Sequence, residues 1–248
     1  KLPRIFFVTD MDVDNASYKQ VVDDLTAKYG KKMAPFHLPI RENEKFVGYI
    51  NVITEQGYRW EGKEVKECPV PDYNKENLGI CRDTLMEAVA ETSEDLMERY
   101  FAGEKFTEAE IRSALRNNVI DGSIVPMTMG SSTLCYGVYT LLDDIIKYLP
   151  SPENSKIAGV SMKTNDIFEA NFDFSKAKSA FVFKTIVDPF IGKYSLIKVC
   201  SGVFKPDDMI YNLDKDIEEK VSKLYCLQGN KPIEVAELHA GDIGAIPK

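Results

Sequence analysis

The sequence has only two histidines, His37 and His239, a single tryptophan, Trp60, and no arginine beyond Arg116. Its five cysteines, at positions 68, 81, 135, 200 and 226, are odd in number and widely spaced. Such sparse ligands exclude a zinc ribbon and leave a disulfide framework unexpected, so free thiols in a reducing cytoplasm are the expectation. No apolar run near the start is long enough for a signal peptide or a membrane span; residues 5–8 read as a buried strand instead. There is no initiator methionine before that strand, and an internal cut is the simplest reading. Excess positive charge is missing as well. With 39 acidic against 31 basic residues the net charge is -8, which gives no general affinity for nucleic acid or anionic lipid. No DNA or membrane partner is expected.

What is present is ordinary globular material, 44% hydrophobic and 28% charged. Strand 5–8 is followed by Ala16, Val21, Val22, Leu25 and Tyr29 at helical spacing, with Asn15 as the expected N-cap and Gly30 as the stop. Residues 33–38 read as a second buried strand, completing a strand–helix–strand unit. A third strand over 46–53 is expected to pair with a segment near Tyr58 and Trp60 through Glu55-Gln56-Gly57. One helical stripe runs across 74–101, and Thr107-Glu108-Ala109-Glu110 forms a capping box that opens another helix. Strand 124–127, the loop Gly130-Ser131-Ser132 and a regular helix ending before Pro150 follow. From about residue 176 the pattern is all-β. Short strands are expected over 180–187, 194–201, 208–213, 218–225, 234–238 and 242–246, a spacing that suggests a small barrel.

The most informative spot is Phe6-Phe7-Val8-Thr9-Asp10-Met11-Asp12, a buried strand that delivers carboxylates to its C-terminal end. Ligands of open α/β sheets bind there. One reading is a guanine-reading loop in which Asp12 accepts two hydrogen bonds from the base, with Ser131-Ser132 as the partner loop. A second is a haloacid-dehalogenase-type phosphatase with Asp10 as nucleophile and Asp12 as general acid. That chemistry needs a later acidic pair for magnesium, and neither Asp143-Asp144 nor Asp207-Asp208 is well placed. Calcium binding by Asp10, Asp12 and Asp14 fails because Asn15 and Val21 stand where glycine and glutamate are required. From spacing alone, simple capping of the next helix is the better account.

Resemblance favours the first reading. Phe46-Val47-Gly48-Tyr49-Ile50 with Trp60 resembles the start of the subdomain inserted in elongation factor G between its two base-binding loops. Leu96-Met97-Glu98-Arg99-Tyr100, Thr107 to Ile111 and Ala114-Leu115-Arg116 are similar to the helices of that insert. Tyr148-Leu149-Pro150-Ser151-Pro152 is similar to the exit from the G domain. Phe183-Lys184, Asp188-Pro189-Phe190-Ile191-Gly192, Ser201-Gly202 and Ala240-Gly241-Asp242-Ile243 resemble the second domain.

The resemblance implies an α/β fold, a partial P-loop GTPase domain with an inserted α+β subdomain, followed by an all-β barrel. Residues 1–150 would form the C-terminal part of the G domain, with the insert over about 40–120. A linker would cover 151–176 and domain II 177–248. It also implies a GTP-driven, ribosome-associated translation factor, with GTP or GDP and Mg2+ bound by the intact parent. The barrel would meet the small ribosomal subunit and the insert the large-subunit stalk protein.

Guanine-binding positions are then Thr9, Asp10, Asp12, Ser131 and Ser132. Thr9 and Asp10 depart from the asparagine and lysine of the family, and Ser132 from an alanine, which bears on guanine selectivity. No GxxxxGK[ST] sequence occurs, so this chain alone is expected to be inactive and to hold no nucleotide tightly. A ribosome-binding paralogue that no longer binds GTP is the alternative. Residues 72–110 hold eleven acidic residues against Lys75, Arg82, Arg99 and Lys105. A solvated helix face explains that excess; a docking face centred on Glu94, Asp95 and Glu98 is the functional counterpart.

Overall fold

The structure is a computed structural model, and it describes residues 2–62, 64–152, 156–161, 164–188 and 192–247. The chain divides into two compact units, Lys1–Leu149 and Pro150–Lys248. Strands and helices of the first unit are β1 (Phe6–Val8), α1 (Tyr18–Tyr29), β2 (Met33–Pro35), β3 (His37–Glu42), β4 (Lys45–Asn51), β5 (Gln56–Glu61) and β6 (Glu64–Cys68). They continue with α2 (Asp72–Ala90), α3 (Glu94–Phe101), α4 (Glu108–Asp121), β7 (Val125–Met129) and α5 (Val138–Tyr148).

Parallel pairing places β7 between β1 and β2, with Phe6 opposite Met127 and Met33 opposite Val125. The last strand of the unit therefore lies beside the first, and their C-terminal loops become neighbours. Strands β3 to β6 form a separate antiparallel meander, with Tyr49 opposite Tyr58 and Trp60 opposite Val65. Only Phe36 separates the two sheets in sequence. Its amide donates to Met127 O (3.0 Å), its carbonyl accepts from Val52 N (2.9 Å), and its ring is fully buried. That burial is worth about 2–3 kcal/mol and welds the meander to the parallel sheet.

Several local expectations shift for identifiable reasons. Asn15 takes a left-handed turn (φ 63) and Ser17 caps α1, its hydroxyl accepting from Gln20 N. Gly30 stops the helix as expected, its N–H bonding Thr26 O. Strand 33–38 is two strands, parted at Phe36. The single stripe over 74–101 is two helices, because Ser93 caps α3 through Leu96 N and Thr92 Oγ1 turns back to Val89 O. The capping box of Thr107 and Glu110 forms in full. The regular apolar helix is α5, yet much of its apolar stripe faces solvent: Leu142 is 50% and Ile146 75% exposed, while Asp144 and Tyr148 are buried. Tyr148 meets Phe36 edge-on at 4.9 Å, and Arg116 donates to the carbonyls of Ile146 and Lys147. Those contacts set the helix rotation.

The second unit opens with a hairpin of β8 (Ala158–Val160) and β9 (Ile167–Glu169), followed by β10 (Ser179–Asp188), β11 (Gly192–Ser201), β12 (Val203–Phe204), β13 (Met209–Asn212) and β14 (Ile217–Lys220). It ends with β15 (Leu224–Gln228), β16 (Lys231–Val235), β17 (Leu238–His239) and β18 (Ile243–Pro247). Five of these make one antiparallel sheet, in the order β10, β11, β18, β15, β16, flanked by two-stranded pieces. The stretch read as a linker over 151–176 contains the hairpin, and its Ala170 and Phe172 are buried, Phe172 in the core of this unit. The expected strand 218–225 is broken at Val221, which exchanges hydrogen bonds with Asp207 and Asp208 and is buried. Ser201-Gly202 forms a tight turn: Gly202 has φ 71, and a Cβ there would press on the Lys178 backbone at 2.9 Å. Of the motif Asp188-Pro189-Phe190-Ile191-Gly192, residues 189–191 lie outside the described residues.

Candidate functional site

Thr9, Asp10 and Asp12 follow β1, and Ser131 and Ser132 follow β7, at the same end of a parallel pair. The structure brings the two loops together. Gly130 N donates to Val8 O (2.9 Å), Met11 N donates to Gly130 O (3.1 Å), and Ser132 Oγ donates to Asp10 Oδ1 (3.4 Å). Gly130 is required here because a Cβ would collide with Tyr136 O and the Phe7 ring. Ser131 is fully buried; its amide donates to Tyr136 O (2.9 Å) and its hydroxyl accepts from Leu134 N (3.0 Å).

The carboxylates of this loop are unequal. Asp10 is exposed, with a left-handed backbone (φ 58). Asp12 is half-buried, and its Oδ1 is fully covered without a hydrogen-bond partner. Covering a carboxylate oxygen without a donor is costly; a ligand N–H would relieve that cost, and reaches the atom only when the groups covering it move aside. Asp12 does not serve as the helix cap; Ser17 does. The capping account of this carboxylate therefore fails, although Asp14 and Asn15 still shape the intervening turn.

Two residues of the meander, Arg41 and Trp60, hold these loops. Arg41 on β3 sends Nη2 to Met11 O and to Ala16 O, both at 2.9 Å. Trp60 on β5 stacks on Tyr136, with ring centroids 4.6 Å apart and planes 5° from parallel. Trp60 is visible in sequence only through the insert resemblance, and neither residue's hold on the loops carries a sequence signal, because each acts across more than 20 positions of chain through the meander. The second unit's Asp207 and Asp208 are engaged by Lys220 (2.8 Å) and Lys178 (2.5 Å), and Asp143-Asp144 lies within α5. Among the described residues no group of three or more His, Cys, Asp or Glu is arranged to hold a metal.

Glu94 and Asp95 occupy the first turn of α3, where the helix dipole favours negative charge, and Glu98 follows one turn later. Arg99 draws off part of the acidity, pairing with Glu110 (2.6 Å), Glu104 (3.3 Å) and Asp95 (3.6 Å). The Arg99 hydrogen bond and those from Thr107 hold the Glu110 carboxyl down to about 2. Glu94 and Glu98 remain exposed beside a shallow hollow lined also by Glu91, Ser93 and Met97.

Comparison with known proteins agrees with this architecture. Residues 177–248 match the family described as elongation factor G domain 2. Over its full length the chain is similar to a protein of Thermus thermophilus of known crystal structure, at 31% identity and a TM-score of 0.80. The chain spans 34% of the length of that protein. No helix among the described residues is long and apolar enough to cross a membrane. A domain 2 match in the β unit, together with a full-length likeness to one solved protein, supports a fragment of the elongation factor G family.

Proposed function

We propose that the first unit is the guanine-reading end of a GTP-dependent, ribosome-associated translation factor, and that Asp12 reads the base. The observation carrying this is the covered, unpartnered Asp12 Oδ1 at the end of β1, beside the Gly130-Ser131 loop. A guanine edge presents N–H donors of the kind this oxygen accepts. Thr9, Asp10, Ser131 and Ser132 lie on the same two adjoining loops. GTP, when bound, would supply the energy-yielding step through hydrolysis of its γ-phosphate by water to leave GDP and phosphate, and contacts to phosphate and Mg2+ would come from outside this chain, which has no GxxxxGK[ST] sequence. The β unit would meet the small ribosomal subunit and the acidic α3 face the basic stalk protein, in the cytoplasm.

A second reading, a ribosome-binding paralogue that no longer binds GTP, draws on one observation. Asp10 places a negative charge, hydrogen-bonded to Ser132, where the family has a lysine. One competition assay on the full-length protein separates the two. Asp12→Ala is expected to weaken GDP at least about tenfold, since each charge-assisted bond contributes about 1.5–3 kcal/mol. Restoring the family pair with Thr9→Asn and Asp10→Lys is expected to tighten GDP and improve discrimination against ADP. GDP affinity indifferent to Asp12→Ala would leave the paralogue as the better account.

A further inference from the structure

We propose that the inserted meander positions the base-reading site through two residues, Arg41 and Trp60, each gripping one of its two loops. The inference rests on the base-reading role given to Asp12 and the Gly130-Ser131 loop, and it assigns that site its control element. Arg41 spans the turn after β1: its guanidinium donates to Met11 O and Ala16 O, the two ends of the segment that carries Asp12. Its backbone is held in turn, because Tyr73 OH accepts from Arg41 N (2.8 Å) and donates to Arg41 O (2.9 Å).

Trp60 acts on the second loop. Tyr136, under its ring, supplies the carbonyl that accepts from Ser131 N, so the tyrosine's position sets that of the serine. Behind the tryptophan stand Phe46 (4.9 Å) and Tyr49 (5.6 Å), rings of the neighbouring strand β4. Stacked and edge-to-face rings of this kind add stabilisation beyond simple burial. A displacement of β5 relative to the parallel sheet would therefore move Tyr136, and a displacement of β3 would move Met11. Both loops answer to one sheet. Anything docking on the meander can thus change base affinity without touching the base.

The test has two arms. In this chain, amide hydrogen exchange is followed by peptide over 129–137 and over 9–17, in wild type, Trp60→Ala, Trp60→Phe and Arg41→Met. Trp60→Ala is expected to speed exchange over 129–137 by about tenfold or more, with α4 and the second unit unchanged, and Trp60→Phe to restore most of the protection. Arg41→Met is expected to do the same over 9–17 alone. Acceleration spread evenly over the whole first unit, or none in these segments, overturns the proposal.

In the full-length protein, Trp60→Ala is expected to weaken GDP by about fivefold or more, with Trp60→Phe close to wild type. If Asp12→Ala weakens GDP but Trp60→Ala and Arg41→Met do not, the positioning role is overturned while the base reading stands. If Asp12→Ala itself has no effect, the base reading and the nucleotide half of this inference fall together. The exchange arm then still decides whether the meander holds the loops.

Discussion

Each unit has a tight turn built from one glycine and one serine, and the two turns are wired differently. In the second unit, Ser201 is fully buried and its hydroxyl donates to Ala177 O beside Ser179 Oγ, while Gly202 donates to Asp173 O and accepts from Ala240 N. These polar atoms are turned inward and the turn fastens strands. In the first unit, Gly130 and Ser131 also spend their amides internally, but beside them Asp12 Oδ1 is covered and unpaired and Asp10 and Ser132 are exposed. The dipeptides look alike in sequence. What separates a structural turn from a candidate site is whether the neighbouring polar atoms have partners.

The largest expected effects concern the cores under the two turns, which share no residue. Phe36→Ala is expected to cost about 3–5 kcal/mol and Leu224→Ala about 2–5 kcal/mol, each site being fully buried. Trp60, the only tryptophan, reports the first unit alone. Its fluorescence transition should move sharply in Phe36→Ala and little in Leu224→Ala, while circular dichroism registers both. Equal movement of the tryptophan transition in both variants would break the division into two units.

A smaller effect separates the units by pH. His37 Nδ1 on β3 lies 3.6 Å from Asp144 Oδ2 on α5, both buried, with Asp143 and Lys147 on the same helix and Tyr49 ring-to-ring with His37. Burial, aided by Lys147, holds the imidazole down to about 3 from 6.5; burial pushes the Asp144 carboxyl up to about 7 from 3.8. Between those ordinary values, folding moves one proton from histidine to aspartate with no net uptake, so the pair is silent in wild type. His37→Gln leaves a raised carboxyl, whose stabilising contribution is complete below its unfolded value and is lost as pH rises through about 7. Asp144→Asn leaves a lowered imidazole, whose contribution is present above its unfolded value and is lost as pH falls toward about 3. Urea titrations between pH 4 and 6.5 should therefore give slopes of opposite sign relative to wild type, each approaching about 1.4 kcal/mol per pH unit. Variants that run parallel to wild type would mean that the pair is not neutral.

The smallest effect on folding is expected at the acidic face. Reversing Glu94, Asp95 and Glu98 to lysine should change stability by less than about 2 kcal/mol in total, since these charges are exposed. Under the docking proposed above, capture of the stalk protein should nevertheless weaken, and its salt dependence should shrink. Capture indifferent to reversal and to salt would return this face to plain solvation.

Much of the local structure was legible because it is encoded locally. The Thr107 and Glu110 box, the Gly30 stop, the pairing of the strand from Phe46 with the Tyr58-Trp60 segment (though its turn is at 52–55, and Gln56-Gly57 belong to β5) and the β style after residue 176 each follow from a few adjacent residues and their periodicity. Errors fell where one short side chain diverts the backbone, as Ser93 and Thr92 do between α2 and α3, or where a strand changes partners, as at Val221. The five residues of the candidate site were nameable from strand ends and resemblance. Their meeting was not, because it depends on β7 inserting between β1 and β2, a choice made by pairing across more than 110 positions in the case of β1. The same holds for the outward apolar stripe of α5. Periodicity determines that a helix has an apolar side, and only the tertiary contacts of Tyr148, Asp144 and Arg116 decide which side is buried. Arg41 and Trp60 lay furthest from view: a cation and a ring have no local signature of what they hold, and folding alone brings Met11, Ala16 and Tyr136 beneath them.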